Sequence, residues 1–247
     1  SSEILAFIYL NSEKQVLTDL IEGKEFKTEV LWNDNKIHFE SLFRQFDDSN
    51  FVDFRGLAQF KNDSTILEFE NSNFKIYENY WTIKDNNRVV FKSPGIIFRN
   101  FNIASKYESI NISGLISRDP NKILNVDIES FNLRNLNPLI GRNLNGVLNA
   151  DLEINDIFDK IRIYGDLQAN DCTIDGFLIG DISGNSFWNN NQKAIVSKID
   201  INRLGKPILD LSGKIVPEGE STQLDFSAKL NSTNMKIIEP FASEIVS

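Results

Sequence analysis

The stretch "LNGVLNADLEINDIFDKIRIYGDLQANDCTIDG", residues 144–176, decides how the rest of the chain is read. Leu144, Gly146, Leu148, Ala150, Leu152 and Ile154 alternate with Asn145, Val147, Asn149, Asp151, Glu153 and Asn155. Strict alternation marks a half-buried β-strand, because successive side chains point to opposite faces of a sheet. After a short Asp/Phe/Asp turn the pattern resumes, with Ile161, Ile163, Gly165, Leu167 and Ala169 set against Arg162, Tyr164, Asp166 and Gln168. Two neighbouring strands therefore share one apolar side.

The same period runs through most of the chain. Apolar phases include Ile37/Phe39, Val52/Phe54/Gly56/Ala58/Phe60, Leu67/Phe69, Phe74/Ile76, Ile110/Ile112/Gly114/Ile116 and Leu124/Val126/Ile128. Leu209/Leu211/Gly213/Ile215 and Leu224/Phe226/Ala228/Leu230 continue the series. Each run is bounded by Asn, Asp, Gly, Ser or Pro, the residues of turns. Gly56, Gly114, Gly146, Gly165 and Gly213 fall on the apolar phase. There they imply either a bend or close backbone approach, or room for something apolar lying along the sheet. Near the start, Ser12-Glu13-Lys14-Gln15 has capping-box spacing, Val16, Leu17, Leu20 and Ile21 form a helical stripe, and Gly23 can close it, which predicts a short helix. The expected organisation is thus an N-terminal strand and adaptor helix over 1–28, then one continuous β segment over 29–247. No Pro/Gly-rich linker divides that segment. The monotony favours a meander of about 20 strands spaced roughly 4.8 Å apart, elongated and curled into an open groove. A compact β-sandwich or β-helix binding module is the alternative.

Composition narrows the function classes. The chain has 247 residues, 41% of them hydrophobic, and a net charge of -9. That balance fits a folded chain and argues against nucleic acid or an anionic membrane surface as partner. The apolar run Ile4 to Leu10 falls short of the roughly 18 residues of a spanning helix. A single cysteine, Cys172, excludes an internal disulfide and reads as a buried thiol.

Chemistry-bearing constellations are sparse. One histidine, His38, alternates with Ile37 and Phe39 and reads as a surface residue; one His and one Cys cannot build a zinc site. Nucleophile-elbow, P-loop and dinucleotide signatures do not occur. Asp127, Glu129, Asp151, Glu153, Asp166 and Asp210 sit on the polar phase of strands, where a solvated face accounts for them, although a hydrolytic pair drawn from distant strands is a further alternative. The Asp-rich stretches "FDDSN" and "NDNK" lack EF-hand spacing and read as turns. Trp81 and Trp188 are the stacking platforms a glycan module would use. The expectation is therefore a protein that is not an enzyme and that needs no cofactor and no metal.

Four elements in order carry a family resemblance: "LRNLNPL" (133–139), "GVLNADL" (146–152), "YGDL" (164–167) and the G-x-x-x-G-x-x-x-W run from Gly180 to Trp188. A second turn of the first kind opens "STNMKIIEPFASEIVS" (232–247), as though a repeat began again and the chain were part of a longer repeating protein. From Phe74 to Ser247 the succession resembles the TamB branch of the AsmA-like proteins. The resemblance implies a taco-shaped β structure in the periplasm of a Gram-negative bacterium, whose parent is anchored in the inner membrane by an N-terminal helix absent here. It implies bridge-like phospholipid transport between the two membranes and support of outer-membrane biogenesis. It further implies protein translocation and assembly with an outer-membrane barrel partner, met through a terminal domain that has no counterpart in these residues. Lipid-groove lining then falls to the apolar phase: Leu144, Leu148, Leu152, Ile154, Ile161, Ile163, Leu167, Leu209, Leu211, Leu224 and Phe226. Their partners would be phospholipid acyl chains.

Overall fold

The computed structural model describes residues 5–18, 21–46, 50–119, 121–158, 161–218 and 221–231. The fold is all-β, with eighteen strands among the described residues in one mainly antiparallel sheet. Two compact units divide it, Ser1–Asp127 with Asn155–Ile161, and Ile128–Ile154 with Arg162–Ser247.

In the first unit the strands are β1 (Leu5–Ser12), β2 (Gln15–Thr18), β3 (Ile21–Asn33), β4 (Lys36–Gln45), β5 (Phe51–Lys61), β6 (Ser64–Phe69), β7 (Asn73–Ile76), β8 (Asn79–Ile83), β9 (Arg88–Lys92), β10 (Gly95–Ala104) and β11 (Ser109–Ser117). β1 and β2 lie end to end along β3, and β3, β4 and β5 follow as a meander. β6 and β7 are two halves of one interrupted strand along β5; β8 and β9 are likewise two halves along β10. β12 (Leu124–Asn132) carries the chain across the unit boundary. The second unit continues with a 3-10 turn (Leu133–Leu136), α1 (Asn137–Ile140), β13 (Leu144–Asn155), β14 (Arg162–Ile174), β15 (Phe177–Asn189), β16 (Ala194–Arg203), β17 (Lys206–Glu218) and β18 (Ser221–Leu230).

The structure corrects the N-terminal helix expected over Ser12–Gly23. Residues 15–18 are β2, and Ile21 to Gly23 begin β3, paired Gln15 with Gly23, Val16 with Glu22 and Thr18 with Ile21. The β-branched Val16, Thr18 and Ile21 favour strand, and Lys14 reaches across to Glu22 at 2.7 Å. Cross-strand pairing outweighs a helical stripe only four residues wide. Helix appears instead at Leu133–Ile140, the Leu-rich turn ahead of β13. Asn132 accepts the Arg134 N–H at 3.0 Å at its start, and Gly141 closes it at φ 64°. Asp175 then ties the following loop down, accepting from Asn143 N at 2.9 Å and from Arg142 Nη2 at 2.8 Å. Those donors hold its carboxyl below the ordinary range, the Asn143 N–H first. The similar segment 232–247 lies outside the described residues.

Where strands are interrupted, side chains replace the missing ladder. Ser72, fully buried, donates its hydroxyl to Arg55 O at 2.8 Å and accepts Arg55 N at 2.9 Å. Asn87, also buried, donates to Phe69 O and Lys84 O, each at 2.8 Å, and accepts Phe69 N at 2.9 Å. Between β6 and β7, and between β8 and β9, the backbone polar groups thus keep their partners out of water. Register shifts act differently. In β10 the shift lies between Phe98 and Phe101, with Asn100 at φ 51°, and both phenylalanines end on one face with rings 5.8 Å apart. In β14 the shift lies between Ala169 and Cys172, with Asp171 at φ 54°, and both flanking residues are buried.

Glycine on the apolar phase answers to backbone proximity. A Cβ on Gly165, at φ 125°, would stand 1.9 Å from Asp151 O; one on Gly114, at φ 104°, would stand 2.2 Å from Ile123 O. Close strand approach is sufficient reason for both.

Asn87→Ala is expected to destabilise the chain by about 3 kcal/mol, since three backbone groups lose their partner, while the exposed Asn125→Ala changes stability by less than about 0.5 kcal/mol. Urea unfolding measures both. By the same assay Gly165→Ala costs more than about 3 kcal/mol, whereas Gly176→Ala, at φ 80° with nothing within 4 Å, costs about 1 kcal/mol.

Candidate functional site

Residues directly opposite in an antiparallel pair share a face, so the registers define rows of side chains running across the strands. In the second unit three such rows cross β14 to β18 and a fourth crosses β15 to β18. Ala169, Ile182, Ile201, Leu209 and Leu230 form one, and Leu167, Gly184, Ile199, Leu211 and Ala228 the next. Gly165, Ser186, Ser197, Gly213 and Phe226 follow, then Trp188, Ile195, Ile215 and Leu224. On the reverse, Gln168, Ser183, Asp200, Asp210 and Lys229 make a polar row, beside Asp166, Asn185, Lys198, Ser212 and Ser227. One face is uncharged and mainly apolar, interrupted by Ser186 and Ser197, whose hydroxyls meet at 3.2 Å, and the other carries the charge.

The apolar face is incompletely covered. Ala169, Ile195 and Ile201 are buried, while Leu167, Ile182, Ile199, Leu209, Leu211 and Ile215 are half-buried. Exposure rises at β18, where Leu224 is 68% accessible and Phe226 42%. A closed sandwich core would bury such residues almost completely.

The first unit also has an apolar face, built with aromatic side chains, while its reverse mixes Phe7, Leu31 and Leu57 with His38 and charged residues. Ala6, Trp32, Ile37, Ala58, Leu67, Val89, Phe98 and Gly114 form one row over eight strands. Ile8, Val30, Phe39, Gly56 and Phe69 lie beside it. Edge-to-face contacts link Phe39, Phe54 and Phe74 through Phe69 and Phe54 at 5.6 to 6.3 Å, and Phe101 joins Phe69 at 5.9 Å.

The sequence-predicted lining residues fall as follows. Leu144, Leu148, Leu152 and Ile154 alternate along β13 and are half-buried; Leu148 packs against the cluster of Ala169, Cys172, Ile179, Ile201 and Ile208. Leu167, Leu209, Leu211, Leu224 and Phe226 occupy the rows just given. Ile161 precedes β14, clusters with the first unit and is 57% exposed; Ile163, in β14, is also exposed. Sequence reasoning passed over Ile179 and Ile208, which are buried in the same cluster. Ile208 is the extra residue where Ile201 pairs with Leu209 and Asn202 with Pro207, a shift that no alternating pattern announces.

Other candidates resolve structurally. Trp81, proposed as a sugar platform in the glycan alternative, is 1% exposed and stacked on Phe74 at 5.9 Å, so it cannot meet a ligand. His38 is exposed on β4 opposite Leu31 and Leu57. Cys172 is buried, and burial pushes its thiol upward. Glu129, Asp151, Glu153 and Asp166 are exposed; Asp127 and Asp210 are half-buried and accept hydrogen bonds from Asn111 and Asn231 at 3.2 and 2.7 Å. "NDNK" is the β3–β4 hairpin, with Asp34 at φ 50°, whereas Asp47 to Ser49 of "FDDSN" lie outside the described residues. Among the described residues no three His, Cys, Asp or Glu side chains converge to hold a metal ion, and no helix is long and apolar enough to cross a membrane.

Compared with protein-family models, curated proteins and solved structures, the chain matches none.

An open face and a closed core respond differently to truncation. Leu224→Ala is expected to cost less than about 1 kcal/mol, and Ile179→Ala, buried beneath Ala169 and Ile208, about 3 to 4 kcal/mol, both read from denaturant midpoints.

Proposed function

We propose that this chain is a segment of a periplasmic, bridge-like protein whose apolar sheet faces carry phospholipid acyl chains between the inner and outer membranes of a Gram-negative cell. One observation carries the reading: in each unit a row-by-row apolar face is left half-accessible, and in the second unit its reverse is a polar face. The TamB-like succession over residues 74–247 points the same way. Under this reading, membrane anchoring and contact with an outer-membrane barrel are roles of the intact parent.

The energetics favour this use. An alkyl chain in water costs about 0.8 kcal/mol per CH₂, so a two-tailed lipid faces more than about 20 kcal/mol. Side chains such as Leu209, Leu211 and Ile215 offer a surface that removes much of that cost without a directional bond to break at each step. Charge would interrupt it, because a desolvated carboxylate raises a local barrier of several kcal/mol. The rows across β14 to β18 contain none. This reading assigns no catalytic residue, and the carboxylates of the polar face serve solubility.

Photo-crosslinking side chains placed singly at Leu211, Phe226, Ser212 and Asp225 test it. Adducts with co-purified phospholipid, read by mass spectrometry, are expected from Leu211 and Phe226 and not from the intervening polar positions. Equal labelling from both phases, or none from either, would remove the reading. In the intact parent, Leu152→Asp is expected to lower lipid transfer at least tenfold with little change in unfolding midpoint.

A further inference from the structure

The first unit's apolar face ends at its hairpin turns in the row Phe60, Thr65, Phe91, Ile96 and Ile116. Beyond that row a cleft of about 680 Å³ opens, floored by Phe91, Ile96 and Phe158 and rimmed by Lys61, Lys92 and Arg118. Its volume falls in the range of small-molecule sites, roughly 300 to 1,000 Å³, and it is broadly open to solvent. The three cations converge because Lys61 ends β5, Lys92 ends β9 and Arg118 follows β11, strand ends that share one edge.

What distinguishes this place is the meeting of cations with an apolar floor. Asp63 pairs with Lys92 at 2.5 Å, and the Lys92 ammonium holds the Asp63 carboxyl below its ordinary range. Lys61 and Arg118 have no ion pair among the described residues, so the rim keeps an excess of positive charge in a chain whose net charge is -9. Two exposed cations above an apolar floor form a place for an anion that also has an apolar part.

We propose that this cleft seats the phosphate headgroup of an anionic amphiphile whose tail lies on the adjoining apolar row. The proposal rests on the acyl-chain reading and adds the headgroup class. Arg118 offers a planar fork that matches phosphate oxygens, and Lys61 and Lys92 add point charges. The floor discriminates against bare inorganic phosphate, which would lose hydration against Phe91, Ile96 and Phe158 without an apolar contact in return.

The test uses the 247-residue chain and three probes below their aggregation limits: monododecyl phosphate, dodecyl maltoside and inorganic phosphate, titrated by calorimetry. Monododecyl phosphate is expected to bind about tenfold or more tighter than the maltoside, and inorganic phosphate far more weakly than either. The double variant Lys61→Gln/Arg118→Gln, which leaves the Lys92–Asp63 pair intact, is expected to lose about tenfold for the dodecyl phosphate alone, with an unchanged unfolding midpoint. If the variant binds dodecyl phosphate as tightly as the parent, or inorganic phosphate binds as well as the amphiphile, the headgroup site is wrong, while maltoside binding keeps the acyl-chain reading standing. If neither amphiphile binds, both fall together.

Discussion

Register is the constraint on which the rest of this structure depends. A one-residue slip in any antiparallel pair would turn that strand's apolar phase to the polar side. Ile199 faces Leu211, and Leu211 faces Ala228, only because every intervening pairing holds its phase. The interruptions preserve it too. Ser72 and Asn87 bridge the broken strands through their side chains, so β6 and β7 both stay on β5, and β8 and β9 both stay on β10. The shifts in β10 and β14 each set residues three apart onto one side, where strict alternation would separate them.

A half-covered apolar face changes where stability comes from. A sandwich of similar length would draw on two mated faces; here much apolar surface stays partly wet, and hydrogen bonding within the sheet carries a correspondingly larger share. That makes the buried polar groups structural. Asn87 satisfies three backbone atoms at once, and its loss would expose a defect in the ladder rather than a gap in a core. The close strand approach at Gly165 and Gly114 belongs to the same economy of backbone against backbone.

Much of the face was legible in the residues alone. Leu209, Leu211, Gly213 and Ile215 meet Leu230, Ala228, Phe226 and Leu224 in the order that two alternating strands joined by a turn dictate. What escaped was whatever alternation does not encode. Phe98-Arg99-Asn100-Phe101 and Ala169-Asn170-Asp171-Cys172 share a signal, two apolar residues three apart around a pair ending in Asn or Asp, and the last of the pair takes the left-handed conformation those residues tolerate best. Glu129-Ser130 between Ile128 and Phe131 has the same spacing, with Ser130 at φ 51° and its N–H accepted by Asn149 at 2.8 Å. The helix expected at Ser12 failed for a different reason. Its local cap and stripe were real, but β3 offered Gln15 to Thr18 a ladder that an isolated short helix could not match. Trp81 looked available because sequence does not say which aromatic rings stack inward.

The two apolar faces differ in kind, and the difference bears on selectivity. In the first unit edge-to-face rings from Phe39 to Phe101 hold one another, giving a stiff aromatic surface; in the second, Ile and Leu rows give a more compliant aliphatic one. Neither distinguishes one alkyl chain from another, since dispersion and apolar burial scale with contact area and not with identity. Under the proposed function, discrimination among amphiphiles must therefore come from groups that read a headgroup, and those groups must lie off the face, where they add no charge to the path. Strand ends meet both conditions. Lys61, Lys92 and Arg118 sit at the turns beyond the last apolar row, close enough to an amphiphile on Phe91 and Ile96 to hold its charged end and outside the surface its tail would occupy.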